Sequence, residues 1–114
     1  MTHVSARVID GTDGSPIPKV MVRYYFEAPA KDNWFQMAND VTDTNGLAAR
    51  WPIKLDHSRR YKIRFEIPDE HAKMADNTLR SFVDCKFEFT ATSNPIEFKL
   101  EIFEDGHRFS VLTT

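Results

Sequence analysis

The chain has 114 residues, with 15 Lys and Arg against 17 Asp and Glu, and a formal net charge of -2 at pH 7. This balance provides no basic surface for nucleic acid or for an anionic membrane, and no apolar run reaches the roughly 20 residues of a membrane span. Cys85 is the only cysteine, which excludes an internal disulfide and a cysteine-based zinc site. Because the N-terminus has no signal-peptide pattern, we expect a single cytoplasmic domain spanning residues 1–114.

The first segment, RVIDGTDGSP at residues 7–16, is typical of a short strand that ends in a Gly- and Pro-rich turn. Further strands follow at short intervals, and each alternates apolar and polar residues with the period of half-buried strands. The apolar positions are Val20, Val22, Tyr24 and Phe26; Tyr61, Ile63, Phe65 and Ile67; Val83, Cys85, Phe87 and Phe89; Ile96, Phe98, Leu100 and Ile102; and Phe109 and Val111.

Turn-forming residues separate these strands, in the segments GTDGSPIP, EAPAKDN, TDTNG, TSNP and EDG. Only residues 68–77 have a helical pattern. Pro68 suits a first helical position, and the acidic Asp69 and Glu70 suit the N-terminal turn. Seven or eight strands with one short helix predict an all-β protein, an antiparallel β-sandwich.

The order of these segments resembles the transthyretin fold, shared by transthyretin and 5-hydroxyisourate hydrolase, over nearly the whole chain. RVIDGTDGSP is similar to the first strand of the hydrolase, H-V-L-D-x-x-x-G-x-P, and TDTNGLAARW resembles its T-N-x-D-G-R turn. RYKIRFEIPDEHAKMADN resembles the fifth strand and the helix after it, and residues 81–114 match the last three strands in spacing. The resemblance implies a transthyretin-like sandwich that assembles as a homodimer or homotetramer, with a channel between the outer faces of the first, seventh and eighth strands.

The resemblance also implies catalytic positions, and this sequence departs from them. The hydrolase has a His on the first strand, an Arg after the turn, a His on the seventh strand and a Y-R-G-S tail. Here Arg7, Leu47 and Glu97 stand nearest to the first three, and the chain ends in VLTT. Arginine stays protonated near neutral pH and cannot accept a proton as neutral histidine does. We therefore expect little or no hydrolysis of 5-hydroxyisourate.

Polar residues replace that set on the predicted channel face. The candidate catalytic residues are Arg7, Glu97, His107 and His3, and the candidate substrate-binding residues are Lys99, Glu101, Ser5, Arg108 and Ser110, with Ile9 and Leu112 beside them. Of these, His107 is expected at the turn into the last strand, close to the mouth of the channel. A carboxylate among cations can act as a general base, while Arg or Lys holds a developing oxyanion. His3 and His107 can move a proton near neutral pH. The alternative is that these charges form an ordinary solvated surface or interface ion pairs.

Two classes of function remain open. The first is a cofactor-independent and metal-independent hydrolase, isomerase or cyclase that acts on a small cyclic metabolite by acid/base chemistry in the channel; hydrolysis of 5-hydroxyisourate in purine degradation is a variant of it. The second is a non-catalytic protein that binds a small ligand, as transthyretin does with Lys at the position of Arg7. The charges of Glu97, Lys99 and Glu101 favour the enzyme, because an apolar ligand needs a less polar channel. The expected partners are a small molecule and further copies of the chain, with neither nucleic acid nor membrane.

Overall fold

The computed structural model describes residues 3–28, 33–49, 60–67, 81–88 and 96–113. Within these ranges the chain forms eight strands: β1 (Val4–Asp10), β2 (Met21–Glu27), β3 (Trp34–Val41), β4 (Leu47–Ala49), β5 (Arg60–Ile67), β6 (Ser81–Glu88), β7 (Ile96–Phe103) and β8 (Gly106–Thr113). They form two four-stranded sheets, ordered β4-β1-β7-β8 and β3-β2-β5-β6. The predicted all-β sandwich is confirmed, and the helix predicted over residues 68–77 lies outside the described residues.

Alternation along each strand decides which side is buried. In β5, Tyr61, Ile63, Phe65 and Ile67 are buried, and Lys62, Arg64 and Glu66 between them are half-buried. Strands β1, β2 and β7 follow the same rule. The apolar residues of both sheets therefore meet in one core, and each sheet turns a polar face outward.

The edge strand β8 departs from this rule at one position. Val111 has the parity of Phe109, which packs against the core, but Val111 is 45% exposed. Among the described strands β8 has a neighbour on one side only, and Val111 lies near its end.

The order of strands brings three distant segments of the chain together. Strand β1 is central in its sheet and pairs in parallel with β7, while β7 forms an antiparallel hairpin with β8. The other described strand pairs are antiparallel. The first, seventh and eighth strands therefore lie side by side, as a site on their common outer face requires.

The turn between β3 and β4 is tied to the rest of the sandwich. Thr42 is buried; its hydroxyl accepts a hydrogen bond from the Val20 amide at 2.9 Å and donates one to the Ile17 carbonyl at 2.9 Å. The next residue, Asp43, accepts hydrogen bonds from the Asn45 and Leu47 amides at 2.8 and 3.1 Å. The predicted TDTNG turn is confirmed, and it holds β4 against β1.

Candidate functional site

The outer face of the sheet β4-β1-β7-β8 carries the predicted substrate-binding side chains and, of the predicted catalytic residues, Arg7 and Glu97. We call it the Arg7 face. Strand pairing assigns to it Leu47 and Ala49 of β4, Ser5, Arg7 and Ile9 of β1, Glu97, Lys99, Glu101 and Phe103 of β7, and Arg108, Ser110 and Leu112 of β8. Its β1 and β7 members are half-buried because the neighbouring strands cover their flanks.

The centre of the Arg7 face is a row of four residues across the sheet. Leu47 pairs with Arg7, Arg7 with Lys99, and Lys99 with Ser110. Since paired residues on one face have their Cβ atoms about 5 Å apart, the row places two cations side by side between a leucine and a hydroxyl. Leu47 thus lies directly beside Arg7, so two of the three positions at which the hydrolase pattern is lost are neighbours.

Glu97 lies in the adjacent row of paired residues. It pairs with Ser5 and Leu112, but the longer Arg7 side chain reaches it diagonally, with 3.5 Å between Arg7 Nε and Glu97 Oε1. The two side chains are 38% and 32% exposed. Both groups therefore remain accessible to a ligand lying on the sheet, and each fixes the orientation of the other.

Lys99 is the cation of the Arg7 face that has no ion-pair partner among the described carboxylates. The glutamates on either side of it along β7 are engaged elsewhere, Glu97 with Arg7 and Glu101 with Arg108. No carboxylate in the described part of the chain forms an ion pair with Lys99. A small anion placed between Arg7, Lys99 and the Ser110 hydroxyl would meet two cations and a hydrogen-bond donor, and charge-assisted hydrogen bonds are the stronger kind.

A second ion pair flanks the row toward the β7–β8 hairpin. Arg108 Nη1 lies 3.8 Å from Glu101 Oε1, and the Arg108 guanidinium lies 5.8 Å from the centre of the Phe103 ring. Glu101 is only 17% exposed, whereas Arg108 is 69% exposed. Phe103 was absent from the predicted set, although it continues the odd-numbered alternation of Glu97, Lys99 and Glu101.

The two candidate histidines lie at opposite ends of the sheet. His3 is exposed and precedes β1, where its carbonyl accepts a hydrogen bond from the Ile96 amide at 2.9 Å. His107 is exposed in β8 but pairs with the buried Ile102, so its position belongs to the inner side of the sheet. The structure therefore does not bring His107 to the Arg7 face, and it brings neither histidine next to the Arg7–Glu97 pair.

The described residues do not meet the requirements of a reactive thiol, a metal site or a membrane-spanning helix. Burial raises the pKa of the Cys85 thiol to about 11, so this thiol stays protonated near neutral pH and is a poor nucleophile. No three His, Cys, Asp or Glu residues of the described ranges are grouped so that they could hold a metal ion. The same ranges contain no helix with the length and apolar character needed to cross a membrane.

The chain is similar to proteins of one family in sequence and in shape. The model of the HIUase/Transthyretin family matches residues 4–105. Transthyretin from Sparus aurata is 14% identical with a TM-score of 0.77, and 97% of each chain is covered. Sea bream transthyretin in complex with thyroxine is 15% identical with a TM-score of 0.75, covering 97% of this chain and 95% of the transthyretin.

An enzyme structure is also similar. (S)-Allantoin synthase is 14% identical with a TM-score of 0.70, and the match covers 99% of this chain but only 43% of the synthase. A search of curated protein sequences gives no significant match. At these identities the similar structures establish the fold alone, and they confirm that the sandwich is transthyretin-like. Because the family model spans most of the chain, the protein belongs to the HIUase/Transthyretin family.

Proposed function

We propose that the protein is a divergent enzyme of this family that acts on a small cyclic carboxylate on the Arg7 face. The observation that carries the proposal is the Arg7–Glu97 contact of 3.5 Å beside Lys99, which forms no ion pair with a carboxylate of the described ranges. Arg7 and Lys99 would bind the substrate anion or stabilise a developing oxyanion, and Glu97 would take the proton. Hydrolysis, isomerisation and cyclisation all need a group that stabilises negative charge and a group that accepts a proton.

The site is proposed to form between copies of the chain in a cytoplasmic homodimer or homotetramer. A single copy offers the Arg7 face as one side of a sandwich, whereas small-molecule sites are concave and bury most of the ligand. A second copy facing the first would enclose the row of Arg7, Lys99 and Ser110. Enclosure would also exclude water, which strengthens each charge–charge contact.

Non-catalytic binding of a small ligand is the second candidate. It is favoured by the similarity to sea bream transthyretin, whose structure contains thyroxine. Both candidates need an anion-binding row, but only the enzyme needs Glu97 as a base. Hydrolysis of 5-hydroxyisourate is the least supported activity, because Arg7 and Leu47 occupy two neighbouring positions at which the family resemblance implies His and Arg.

Binding at the row can be tested by NMR with two probes of the same shape. Benzoate carries a carboxylate on a planar ring, and benzamide is its neutral counterpart. We expect benzoate to shift the backbone amide signals of Arg7, Lys99 and Ser110 in a saturable way, and benzamide to leave them unchanged. Arg7→Met should weaken benzoate binding about tenfold or more, since a hydrogen bond to a charged group contributes about 1.5–3 kcal/mol.

Arg60→Met is the matched control for this titration. Arg60 is 51% exposed on the other sheet and pairs with Glu27, so its loss removes the same charge without touching the row. The control should bind benzoate as the wild type does. Equal shifts with benzamide, or equal weakening by Arg60→Met, would show general surface binding and contradict the proposal.

A further inference from the structure

The outer face of the other sheet, β3-β2-β5-β6, has a distinct composition that the Arg7 face does not explain. Strand pairing places five cations on it: Arg23, Arg60, Lys62, Arg64 and Lys86. Three carboxylates with described side chains, Glu27, Glu66 and Asp84, face the same way. We call this surface the Lys62 face. Its described side chains carry more positive than negative charge, although the whole chain has a net charge of -2.

The arginines of the Lys62 face are balanced by the carboxylates. Arg23 Nε lies 2.6 Å from Glu66 Oε2, and Arg60 Nη1 lies 3.6 Å from Glu27 Oε1. Arg64 holds Asp84 with two hydrogen bonds of 2.7 and 3.0 Å. Each of these carboxylates therefore has its own arginine, and the surplus positive charge belongs to the lysines.

The two lysines lie directly opposite each other on β5 and β6. Their ammonium nitrogens are 4.9 Å (Lys62) and 5.7 Å (Lys86) from the centre of the Trp34 ring, and Lys62 is also 5.0 Å from the Tyr25 ring. Like charges directly opposite on neighbouring strands destabilise a sheet. The electron-rich faces of the rings offset part of this repulsion.

Carboxylates with described side chains do not balance the charge of the two lysines. Lys62 Nζ is 4.0 Å from Asp84 Oδ2, but this oxygen already accepts a hydrogen bond from Arg64. Lys86 forms no ion pair within the described ranges, and its side chain is exposed. An external carboxylate between the two lysines would therefore relieve repulsion that the fold leaves in place.

We propose that the Lys62 face binds an acidic segment of a protein partner, with a carboxylate seated between Lys62 and Lys86 above Trp34. The face is one side of a regular sheet, and small ligands prefer concave sites. Tryptophan, tyrosine and arginine are the residues most enriched at the energetic centres of protein interfaces. Single-stranded nucleic acid fits less well, because cations cover the ring faces on which bases would stack.

Trp34 itself can report on this binding. The chain has two tryptophans, so Trp51→Phe leaves Trp34 as the only one. We expect hexaglutamate to change the emission of Trp34 in a saturable way at low ionic strength. Added salt should weaken the effect because Lys86 is exposed, although the Lys62 side chain is only 11% exposed. In this background, Lys86→Glu should weaken hexaglutamate binding about threefold or more, since it replaces an attraction with a repulsion.

Lys19→Glu is the matched control, with the same change of charge. Lys19 is exposed and precedes β2, whereas Trp34 pairs with Glu27 at the far end of that strand. This variant should bind hexaglutamate as the Trp51→Phe protein does.

Four results would overturn the proposal. The first two are that hexaglutamate up to about 1 mM leaves the Trp34 emission unchanged, and that Lys86→Glu and Lys19→Glu weaken binding equally. The other two are that hexathymidylate binds more tightly than hexaglutamate, and that the emission changes with protein concentration alone. The last would identify a second copy as the occupant. None of them depends on the Arg7 face, because benzoate binding to that face is measured separately.

Discussion

At the scale of single residues, parity along the strands predicted most of the Arg7 face. Arg7, Glu97 and Lys99 have odd numbers on strands whose even positions are buried, so they face outward together. Parity cannot specify which of them touch, because contact depends on register. The pairing of Arg7 with Lys99, and the diagonal reach of Arg7 to Glu97, became known only from the structure.

His107 is a residue whose predicted role follows from its place near a turn and not from the alternation of its strand. Its predicted catalytic role rests on its position close to the turn into the last strand. Yet His107 has the parity of Phe109, which packs against the core. Its pairing with the buried Ile102 follows from that parity. A catalytic role for His107 therefore stays a prediction, and the geometry offers it no contact with Arg7 or Glu97.

The role of Glu97 can be tested by a substitution that keeps its shape. Glu97→Gln should lower the rate of conversion about 100-fold or more, because the amide cannot take a proton. The measurement is proton NMR of wild type and variant with small cyclic amides, imides and lactones that carry a carboxylate. Conversion of 5-hydroxyisourate, which has no carboxylate and no carbon-bound hydrogen, is followed by ultraviolet absorbance. Arg7→Met, in contrast, should act mainly through weaker substrate binding.

Glu104→Gln provides the control, since Glu104 is exposed in the turn between β7 and β8 and faces no ligand row. It should retain the wild-type rate. A Glu97→Gln rate within about threefold of wild type would exclude general-base catalysis by this residue. If the wild type binds benzoate but converts none of the panel, non-catalytic binding replaces the enzyme.

At the scale of elements, the turn before β4 matters because it places Leu47 beside Arg7. Gly46 has a φ of +73°, a conformation that side chains disfavour, and a Cβ added there would lie 2.5 Å from the Val8 carbonyl oxygen. The Gly46 carbonyl also accepts a hydrogen bond of 2.8 Å from the Val8 amide. The TDTNG pattern predicted a turn, but it did not predict this contact with β1.

Gly46→Ala should therefore destabilise the protein more than Gly14→Ala. Gly14 has a similar φ of +79°, but nothing lies within 4 Å of its added Cβ. We expect about 1–2 kcal/mol for Gly14→Ala from backbone strain alone, and at least about 1 kcal/mol more for Gly46→Ala because the Val8 backbone must move. Urea unfolding of both variants measures the difference, and equal losses would contradict this role of the turn.

At the scale of the whole molecule, alternation predicted the strands and the sandwich but not the order of strands in the sheets. A period of two indicates which side of a strand is buried; it carries no information on which strand lies beside it. The parallel pairing of β1 with β7 joins segments at opposite ends of the chain. The family resemblance indicated that the two strands share the channel face, but nothing in the sequence predicted that they pair in parallel. Periodicity does not predict the oligomeric state either, because assembly depends on which side chains and backbone groups are exposed on the outer faces and edges of the sheets.

The edge strand β8 is the place where we expect a second copy to contribute. Leu112, on the Arg7 face, and Val111, on the other side of the strand, are each 45% exposed. Within the described part of the chain, β8 is an edge strand that pairs on one side only, and such edges pair readily with another strand. A copy docked there would extend the face that carries Arg7, Lys99 and Ser110.

The central claim is that the Arg7 face becomes an enclosed binding site only in an assembly of the chain that uses β8 as a contact. The most direct test is to measure mass by light scattering and benzoate affinity by NMR for Val111→Glu, with Val41→Glu as the control. Val41 is 44% exposed on β3, at the other edge of the sandwich, and receives the same substitution. We expect Val111→Glu to yield a 13.2 kDa monomer that binds benzoate about tenfold more weakly, and Val41→Glu to keep wild-type mass and affinity. A monomeric Val111→Glu protein with wild-type affinity, or a wild type that is itself monomeric, would contradict the claim.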